Sequence, residues 1–223
     1  IKYIKQFILN KKFTKKWILF KQGKRKVAVR YFGCTPKSSF RYSDDVKIPY
    51  YKNRDQFVLQ LATKVKGETI VLAKIPRQST MIKATSFIAR QLVKQEEDIE
   101  IQVKGKTYTF STSLSDNDTL FIPILEFDLI KEFKSLCNKK ILNRGKGYSS
   151  IGRAFQKVKF SMDEKGAKLR SLAVVEELES EPAPGRRFIF NKPFLLCLWK
   201  DGETQPYFAA WINNSVFMKR RKK

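Results

Sequence analysis

Residues 160–194 decide the fold: they begin with FSMDEKG (160–166), pass through the acidic run EELESEPAP (176–184) and end with FNKPF (190–194). FSMDEKG ends a stretch in which residues expected to be buried alternate with residues expected to be solvated, which is typical of a β-strand. The acidic run contains proline, serine and alanine and buries little apolar surface, so it predicts a long surface loop. Exposed loops of this kind are preferred sites of proteolysis.

The strand before the loop has a period of two residues. Arg153, Phe155, Lys157 and Lys159 occupy one face, which is expected to be solvated. The face expected to be buried comprises Ala154, Gln156, Val158, Phe160 and Met162.

The sequences on both sides of the loop resemble the serpin family. DEKG at 163–166 is similar to the serpin hinge, and FNKPF at 190–194 is similar to the start of the hairpin that follows the reactive loop. GKRKVAV at 23–29 and the paired runs within residues 58–76 match in the same order, and residues 193–196 and 206–208 resemble the closing strands. The match extends over most of this chain but only over about the C-terminal half of a complete serpin. The family's largely helical N-terminal half, with the middle strands of its main sheet, has no counterpart here.

The resemblance implies an inhibitor whose partner is a serine or cysteine protease. In the family mechanism the protease cleaves the loop and forms an acyl-enzyme, and it is trapped when the loop's N-terminal half inserts as a new strand of the main sheet. The hinge of this insertion would comprise Glu164, Gly166, Ala167, Leu169 and Ser171, and the exposed loop would cover residues 172–187.

Insertion requires that alternate residues fit a buried face. The residues that would point inward are Ala167, Leu169, Ser171, Ala173 and Val175, whereas Lys168 and Arg170 would point outward. Leu169, Arg170 and Leu172 are bulkier than the small residues of inhibitory serpins, and packed interiors tolerate added volume poorly. Slow insertion would make the chain a substrate rather than a trap.

The bond that a protease would cut can be placed in two ways. The family's distance from the hinge gives the bond between Ser180 and Glu181, and the distance back from FNKPF gives a bond near Pro182. The scissile bond is therefore expected within residues 179–183. Arg186 and Arg187 form a dibasic sequence that trypsin-like proteases would take, although it lies beyond the expected position.

The missing N-terminal half bears on this mechanism, because the serpin main sheet opens between strands that this half mostly supplies. The chain by itself would lack the slot and would leave strand edges open to association. Three interpretations stay open: a companion segment or partner supplies the strands, the chain is a fragment of a longer serpin, or the inhibitory mechanism has been lost.

Length and composition favour a single domain over residues 1–223, since 42% of the residues are hydrophobic. The predicted fold class is α+β with mostly antiparallel sheets and a few short helices, because strand patterns outnumber helical ones. Predicted strands cover residues 17–20, 26–32, 57–62, 69–75, 99–103, 107–110 and 154–162. Predicted helices cover residues 79–95, residues 127–136 and all or half of the basic, amphipathic stretch 1–20.

The net charge of +25, from 46 Lys and Arg against 21 Asp and Glu, would attract a polyanion such as nucleic acid or a sulfated glycan, or an anionic membrane. A solvated basic surface with no dedicated partner would explain the same composition. The alternative function is thus that of a non-inhibitory serpin-like protein that binds a polyanion. The candidate residues are Lys11, Lys12, Lys15, Lys16, Lys24, Arg25 and Lys26, with the tail at residues 219–223.

The sequence contains no histidine, which removes Ser-His-Asp and Cys-His catalysis and histidine metal sites. We therefore expect no enzyme activity, no metal and no cofactor. The three cysteines have no paired spacing and predict no disulfide framework. No stretch has the apolar length of a membrane span, and no signal-peptide cleavage site is recognisable near Ile1. A typical serpin would be extracellular, but the sequence leaves the compartment and oligomeric state open.

Overall fold

The computed structural model describes residues 16–36, 46–63, 65–94, 99–103, 105–115, 117–143, 147–162 and 184–220. In chain order the strands are β1 (Lys16–Gln22), β2 (Arg25–Cys34), β3 (Val46–Asn53), β4 (Gln56–Ala62), β5 (Glu68–Lys74), β6 (Ile99–Val103), β7 (Lys106–Phe110), β8 (Thr119–Pro123), β9 (Leu125–Glu132), β10 (Lys140–Asn143), β11 (Gly147–Ser150), β12 (Phe155–Met162), β13 (Arg187–Ile189), β14 (Phe194–Lys200) and β15 (Phe208–Ile212). One α-helix of the described part, α1 (Met81–Val93), follows β5, and 3₁₀ turns cover Lys134–Leu136 and Ser215–Phe217. The predicted fold class, α+β with mostly antiparallel sheets, is confirmed.

A five-stranded antiparallel sheet in the order β15-β14-β5-β4-β3 is buried on both faces. Along β14, Leu196 and Leu198 face the larger hydrophobic core, while Leu195 and Cys197 face a smaller core that includes Ile88 of α1. Because each face has a cover, the first six residues of β14 are all buried, and its sequence is a continuous apolar run rather than an alternating one.

Several predicted elements are confirmed. The β4–β5 and β6–β7 hairpins have the expected pairing, and α1 begins after Thr80, whose hydroxyl accepts a hydrogen bond from the Lys83 N–H. The two closing strands, β14 and β15, pair antiparallel.

A second sheet has the order β1-β2-β8-β13, and its last pair, β8 with β13, is parallel. The close approach of β2 and β8 requires a glycine at Gly33, whose φ is +153°, since a Cβ atom there would lie 1.6 Å from the Leu120 carbonyl oxygen. β1 confirms the strand predicted at 17–20. A helix over all of residues 1–20 is wrong, because residues 16–20 pair with β2. The alternative, a helix over half of this stretch, falls on residues 1–15, which lie outside the described part.

β9 and β12 form a two-stranded antiparallel ribbon in which Phe127 pairs with Phe160. The helix predicted at 127–136 is therefore wrong, apart from the 3₁₀ turn at its end. Leu129, Phe133 and Leu136 do fit a helical spacing. However, apolar Leu125, Phe127 and Leu129 also alternate with acidic residues, and pairing with β12 makes that two-residue period the one that buries surface.

Burial decreases along this ribbon. Phe160 and Met162 are buried and Val158 is half-buried, as predicted, but Gln156 of the same face is exposed. At the same end Ile130 is 60% and Phe155 55% exposed. The ribbon thus projects beyond the core. Within the described residues no third strand pairs with it, and a single bridge joins Leu125 of β9 to Met218.

Candidate functional site

The predicted reactive loop joins two fixed points of the fold. β12 ends at Met162, which is buried, and the described chain resumes at Pro184, three residues before β13. Two predicted groups of loop residues lie outside the described residues: the hinge, Glu164, Gly166, Ala167, Leu169 and Ser171, and the scissile-bond candidates, Ser180, Glu181 and Pro182. The described residues are therefore those that flank this segment, up to Met162 on one side and from Pro184 on the other.

At the N-terminal end, β12 presents the surface that an inserted strand would meet. Phe160 stacks on Phe127 with ring centroids 5.1 Å apart, and Met162 is also in the main core. Lys157 and Lys159 are exposed on the opposite face. β12 pairs with β9 along one edge, and its other edge has no strand partner in the described part of the chain. Those backbone groups are the pairing groups that an added strand would use.

At the C-terminal end, Arg186 makes a buried ion pair with Asp118. The Arg186 Nη2 atom lies 2.8 Å from Asp118 Oδ2, and the two side chains are 1% and 0% exposed. The Arg186 backbone N–H donates to the other carboxylate oxygen at 2.7 Å, and the Arg186 carbonyl accepts from the Thr119 N–H at 2.9 Å. Asp118 directly precedes β8, so the ion pair attaches the C-terminal end of the loop to the sheet that contains β8.

The rest of the Arg186 guanidinium is also satisfied. Nη1 donates to the Ser111 carbonyl at 2.8 Å and Nη2 to the Ser113 carbonyl at 2.6 Å. Its central carbon lies 5.1 Å from the Phe110 ring centroid and 5.4 Å from that of Phe188. A buried arginine costs little when its charge is paired and its donors are used. We call Arg186, Asp118 and these two serine carbonyls the arginine clamp.

The interpretation of Arg186-Arg187 as an accessible dibasic sequence is wrong. Arg186 is 2% exposed and Arg187 already belongs to β13, although its own side chain is exposed. Gly185 reinforces this arrangement, because a Cβ atom there would lie 1.8 Å from the Asn117 carbonyl oxygen. The exposed part of the loop's end is therefore Pro184 and Gly185, and the predicted loop 172–187 is too long by at least its last two residues.

The other end of β13 is held by a second buried cation, Lys74. Its Nζ atom donates to the Ile189 carbonyl at 2.9 Å and to the Arg54 carbonyl at 2.9 Å, and forms an ion pair of 2.9 Å with Asp55. Burial lowers the pKa of Lys74, and Asp55 opposes that shift. Lys192 also contacts Asp55 at 2.9 Å. Partial burial would raise the pKa of Asp55, but hydrogen bonds from Lys192 and Lys74 lower it to about 2.

Neither Asp118 nor Lys74 was identified from the sequence as a site residue. Asp118 lies 68 residues before Arg186, and Lys74 lies 115 residues before Ile189. No local pattern marks either residue. The parallel pairing of β8 and β13 brings Asp118 to Arg186, and the packing of the two sheets brings Lys74 to Ile189.

The predicted polyanion-binding residues are only partly described. Lys16, Lys24, Arg25 and Lys26 are exposed on the β1–β2 hairpin, whereas Lys11, Lys12 and Lys15 lie outside the described residues. Lys21 and Lys26 face each other across the hairpin. The C-terminal segment runs beside β2, since the Arg30 N–H donates to the Lys219 carbonyl at 2.8 Å and Arg220 pairs with Val29. Two basic stretches distant in sequence thus lie along the same strand, β2.

Groups for other chemistry are sparse in the described part of the chain. No cluster of three metal-ligating side chains is found there, and no helix there is long and apolar enough to cross a membrane. Cys34 and Cys197 are buried free thiols, and burial raises their pKa to about 11 and about 12. Thiols in this environment are inert as nucleophiles.

Comparison with known proteins shows the fold. No protein-family model matches the chain, and no curated protein matches it in sequence. Solved structures do match, and three of them are serpins. Serpin48, a highly specific serpin of the insect Tenebrio molitor, has 13% identity and a TM-score of 0.54 over 95% of this chain and 53% of its own. Manduca sexta serine protease inhibitor (serpin)-12 has 16% identity and a TM-score of 0.57, with 96% and 55% covered.

Mouse protein-Z dependent protease inhibitor has 12% identity and a TM-score of 0.57, with 95% and 53% covered. The chain therefore has a serpin-like fold and spans about half the length of the solved structures that it matches.

Proposed function

We propose that this serpin-like chain inhibits a protease by offering residues 163–183 as a reactive loop. The observation that carries the proposal is the way the two ends of this segment are placed. One end leaves a strand with an unpaired edge, β12, and the other enters the arginine clamp. A protease could thus cut between two regions that stay folded.

The chemistry at the loop needs no catalytic group from this chain. The nucleophile of the protease attacks a carbonyl within residues 179–183, the peptide bond breaks, and the new amino group leaves with the C-terminal piece. The N-terminal piece stays attached to the protease as an acyl-enzyme. This division of labour agrees with a chain that lacks histidine.

Trapping then requires the N-terminal piece to pair with β12. A segment that turns back after Met162 would run antiparallel to β12 along its free edge. Residues 167, 169, 171, 173 and 175 would lie on the face of Val158, Phe160 and Met162, which leads into the core. Lys168 and Arg170 would lie on the face of Lys157 and Lys159. The pattern suits insertion, but these like charges and bulky Leu169 would slow it.

The test is to incubate the chain with a panel of serine and cysteine proteases, including enzymes that cut after glutamate or small residues. A denaturing gel separates a covalent complex from simple cleavage, and sequencing the released C-terminal piece locates the bond. The expected result is a complex together with cleaved chain, because slow insertion lets some acyl-enzyme hydrolyse. Cleavage within residues 163–183 without a covalent complex would contradict the inhibitory function.

A second candidate function is polyanion binding, favoured by the meeting of the β1–β2 hairpin with the C-terminal segment. A cavity of about 330 Å³ beside the hairpin is lined by Lys21 and Lys26 and also by Ile189 and Asn191, which follow the loop. An anionic chain bound there would therefore lie near the base of the loop. An affinity that falls steeply as the salt concentration rises would support this function, and an affinity independent of salt concentration would contradict it.

A further inference from the structure

β13 is by itself a poorly held strand. It has only three residues, pairs parallel with β8 on one side, and lies at the end of its sheet. Parallel pairing is slightly less stable per residue than antiparallel pairing, and short edge strands open easily. Its later residues are held by the buried Phe188 side chain and by the Lys74 hydrogen bond to the Ile189 carbonyl, so its first residue, where the loop ends, needs an attachment of its own.

The arginine clamp supplies that attachment through the connection between β7 and β8, which is itself bonded to β3. Arg186 reaches Asp118 before β8 and the carbonyls of Ser111 and Ser113 after β7. Thr112, between those two serines, accepts a hydrogen bond of 2.6 Å from the Ile48 N–H of β3. Asp118 is itself fixed, since its carboxylate accepts from the Ser115 N–H at 2.8 Å. The guanidinium thus binds a prearranged set of acceptors.

We propose that Arg186 is the positioning residue of the loop's C-terminal base and that its clamp keeps the peptide bond after Arg187 hidden from proteases. The clamp ends the accessible chain at Gly185 and holds β13 in its sheet. It also keeps the C-terminal piece docked after a cut further upstream. Its part in inhibition rests on the function proposed above, whereas the protection of β13 does not.

Limited trypsin digestion of the full chain, with mass spectrometry to measure the rate at each bond, tests this role. Asp118→Asn removes the partner charge but keeps both arginines as trypsin sites. Asp128→Asn is the matched control, because it makes the same change at an exposed ion pair with Lys157. We expect the bond between Arg187 and Phe188 to be cut roughly 100-fold faster in Asp118→Asn than in the native chain, and no faster in Asp128→Asn.

A conservative variant separates positioning from general support of the fold. Arg186→Lys keeps the charge but cannot make the forked contacts, so it should give an intermediate rate at the bond after Arg187, while Arg186→Gln should match Asp118→Asn. The exposed bonds after Lys24 and Arg25, at the β1–β2 turn, can be cut without unfolding, so their rates should stay within about 2-fold of the native chain in every variant.

Two results would overturn the proposal. One is an unchanged rate at the bond after Arg187 in Asp118→Asn. The other is an equal acceleration at all tryptic bonds, which would make the pair a support of the whole fold. If the bond is protected as expected but the native chain forms no covalent protease complex, the inhibitory function falls and the positioning role stands.

Discussion

The guanidinium of Arg186 and the carboxylate of Asp118 are 2.8 Å apart, and both side chains are almost completely buried. This contact lies directly after the segment proposed as the reactive loop. It links the end of the loop to the strand β8 and, through the serine carbonyls, to β3.

Breaking this pair should be costly. Asp118→Ala leaves a buried, unpaired arginine, so we expect it to lower the free energy of unfolding by about 3–5 kcal/mol. Urea denaturation measures this. Asp128→Ala, at an exposed pair of 3.4 Å with Lys157, should cost less than about 1 kcal/mol.

The double variant Asp118→Leu with Arg186→Met provides the complementary measurement. It removes both charges and leaves apolar side chains beside Phe110 and Phe188, so it should recover part of the stability that Asp118→Ala removes. The recovery is incomplete because the Ser115 N–H and the two serine carbonyls lose their side-chain partners. A double variant as unstable as Asp118→Ala would contradict the view that the unpaired charge is what destabilises the single variant.

Asp55 should contribute stability that depends on pH. Its pKa in the folded chain is about 2, because Lys192 and Lys74 donate to it, and this lies below the ordinary value of about 3.9. A lowered carboxyl pKa means that the stabilisation is complete above pH ~4 and is lost as the pH falls towards ~2.

The measurement compares the free energy of unfolding of the native chain and of Asp55→Asn across that range. The difference between them should be constant at neutral pH and shrink between pH ~4 and ~2. A difference that stays constant down to the lower limit would show that Lys74 and Lys192 do not depend on the charge of Asp55.

The sequence predicted the elements whose pattern is local. Ile99, Ile101 and Val103 alternate around a glycine turn with the β7 residues, and Thr80 caps α1, so neighbours in the chain determine both elements. β9 was predicted wrongly as a helix, because its partner strand β12 is distant in the sequence and decides which period is buried.

The candidate site was predictable at its loop and not at its anchors. The change from an alternating strand to an acidic, proline-containing run is visible in residues 160–184. The burial of Arg186 is not visible in the sequence, since two consecutive arginines beside an acidic, proline-containing run are typical of a solvated loop. Only the contact with Asp118, formed when β13 pairs with β8, reverses that interpretation.

The cysteines provide a direct test of the fold. Cys34 and Cys197 are buried thiols whose pKa burial raises to about 11 and about 12, whereas Cys137 is only partly buried. Iodoacetamide at pH ~8 should therefore label Cys137 alone in the native chain and all three in urea, as read by mass spectrometry. Rapid native labelling of Cys197 would contradict the placement of β14 between β5 and β15.

The basic surface predicts a salt-dependent interaction with a polyanion such as heparin or duplex DNA. Replacing Lys24, Arg25 and Lys26 by glutamine should weaken binding and reduce the slope of log affinity against log salt by about 1 for each phosphate or sulfate that is no longer neutralised. The control replaces Lys131, Lys134 and Lys139, which are exposed elsewhere. An equal weakening of binding in both variants would show that net charge, and not the hairpin, attracts the polyanion.

The central claim is that the cleaved loop inserts beside β12, and the most direct measurement is the fraction of covalent protease complex formed by two neighbouring variants. Ala173→Arg places a charge on the face predicted to point inward, and Val174→Arg places the same charge on the outward face. With the protease that cuts within residues 179–183, denaturing gels should show the complex for the native chain and Val174→Arg. Ala173→Arg should be cleaved without forming it. The same fraction of complex in both variants, or no complex in the native chain, would contradict insertion.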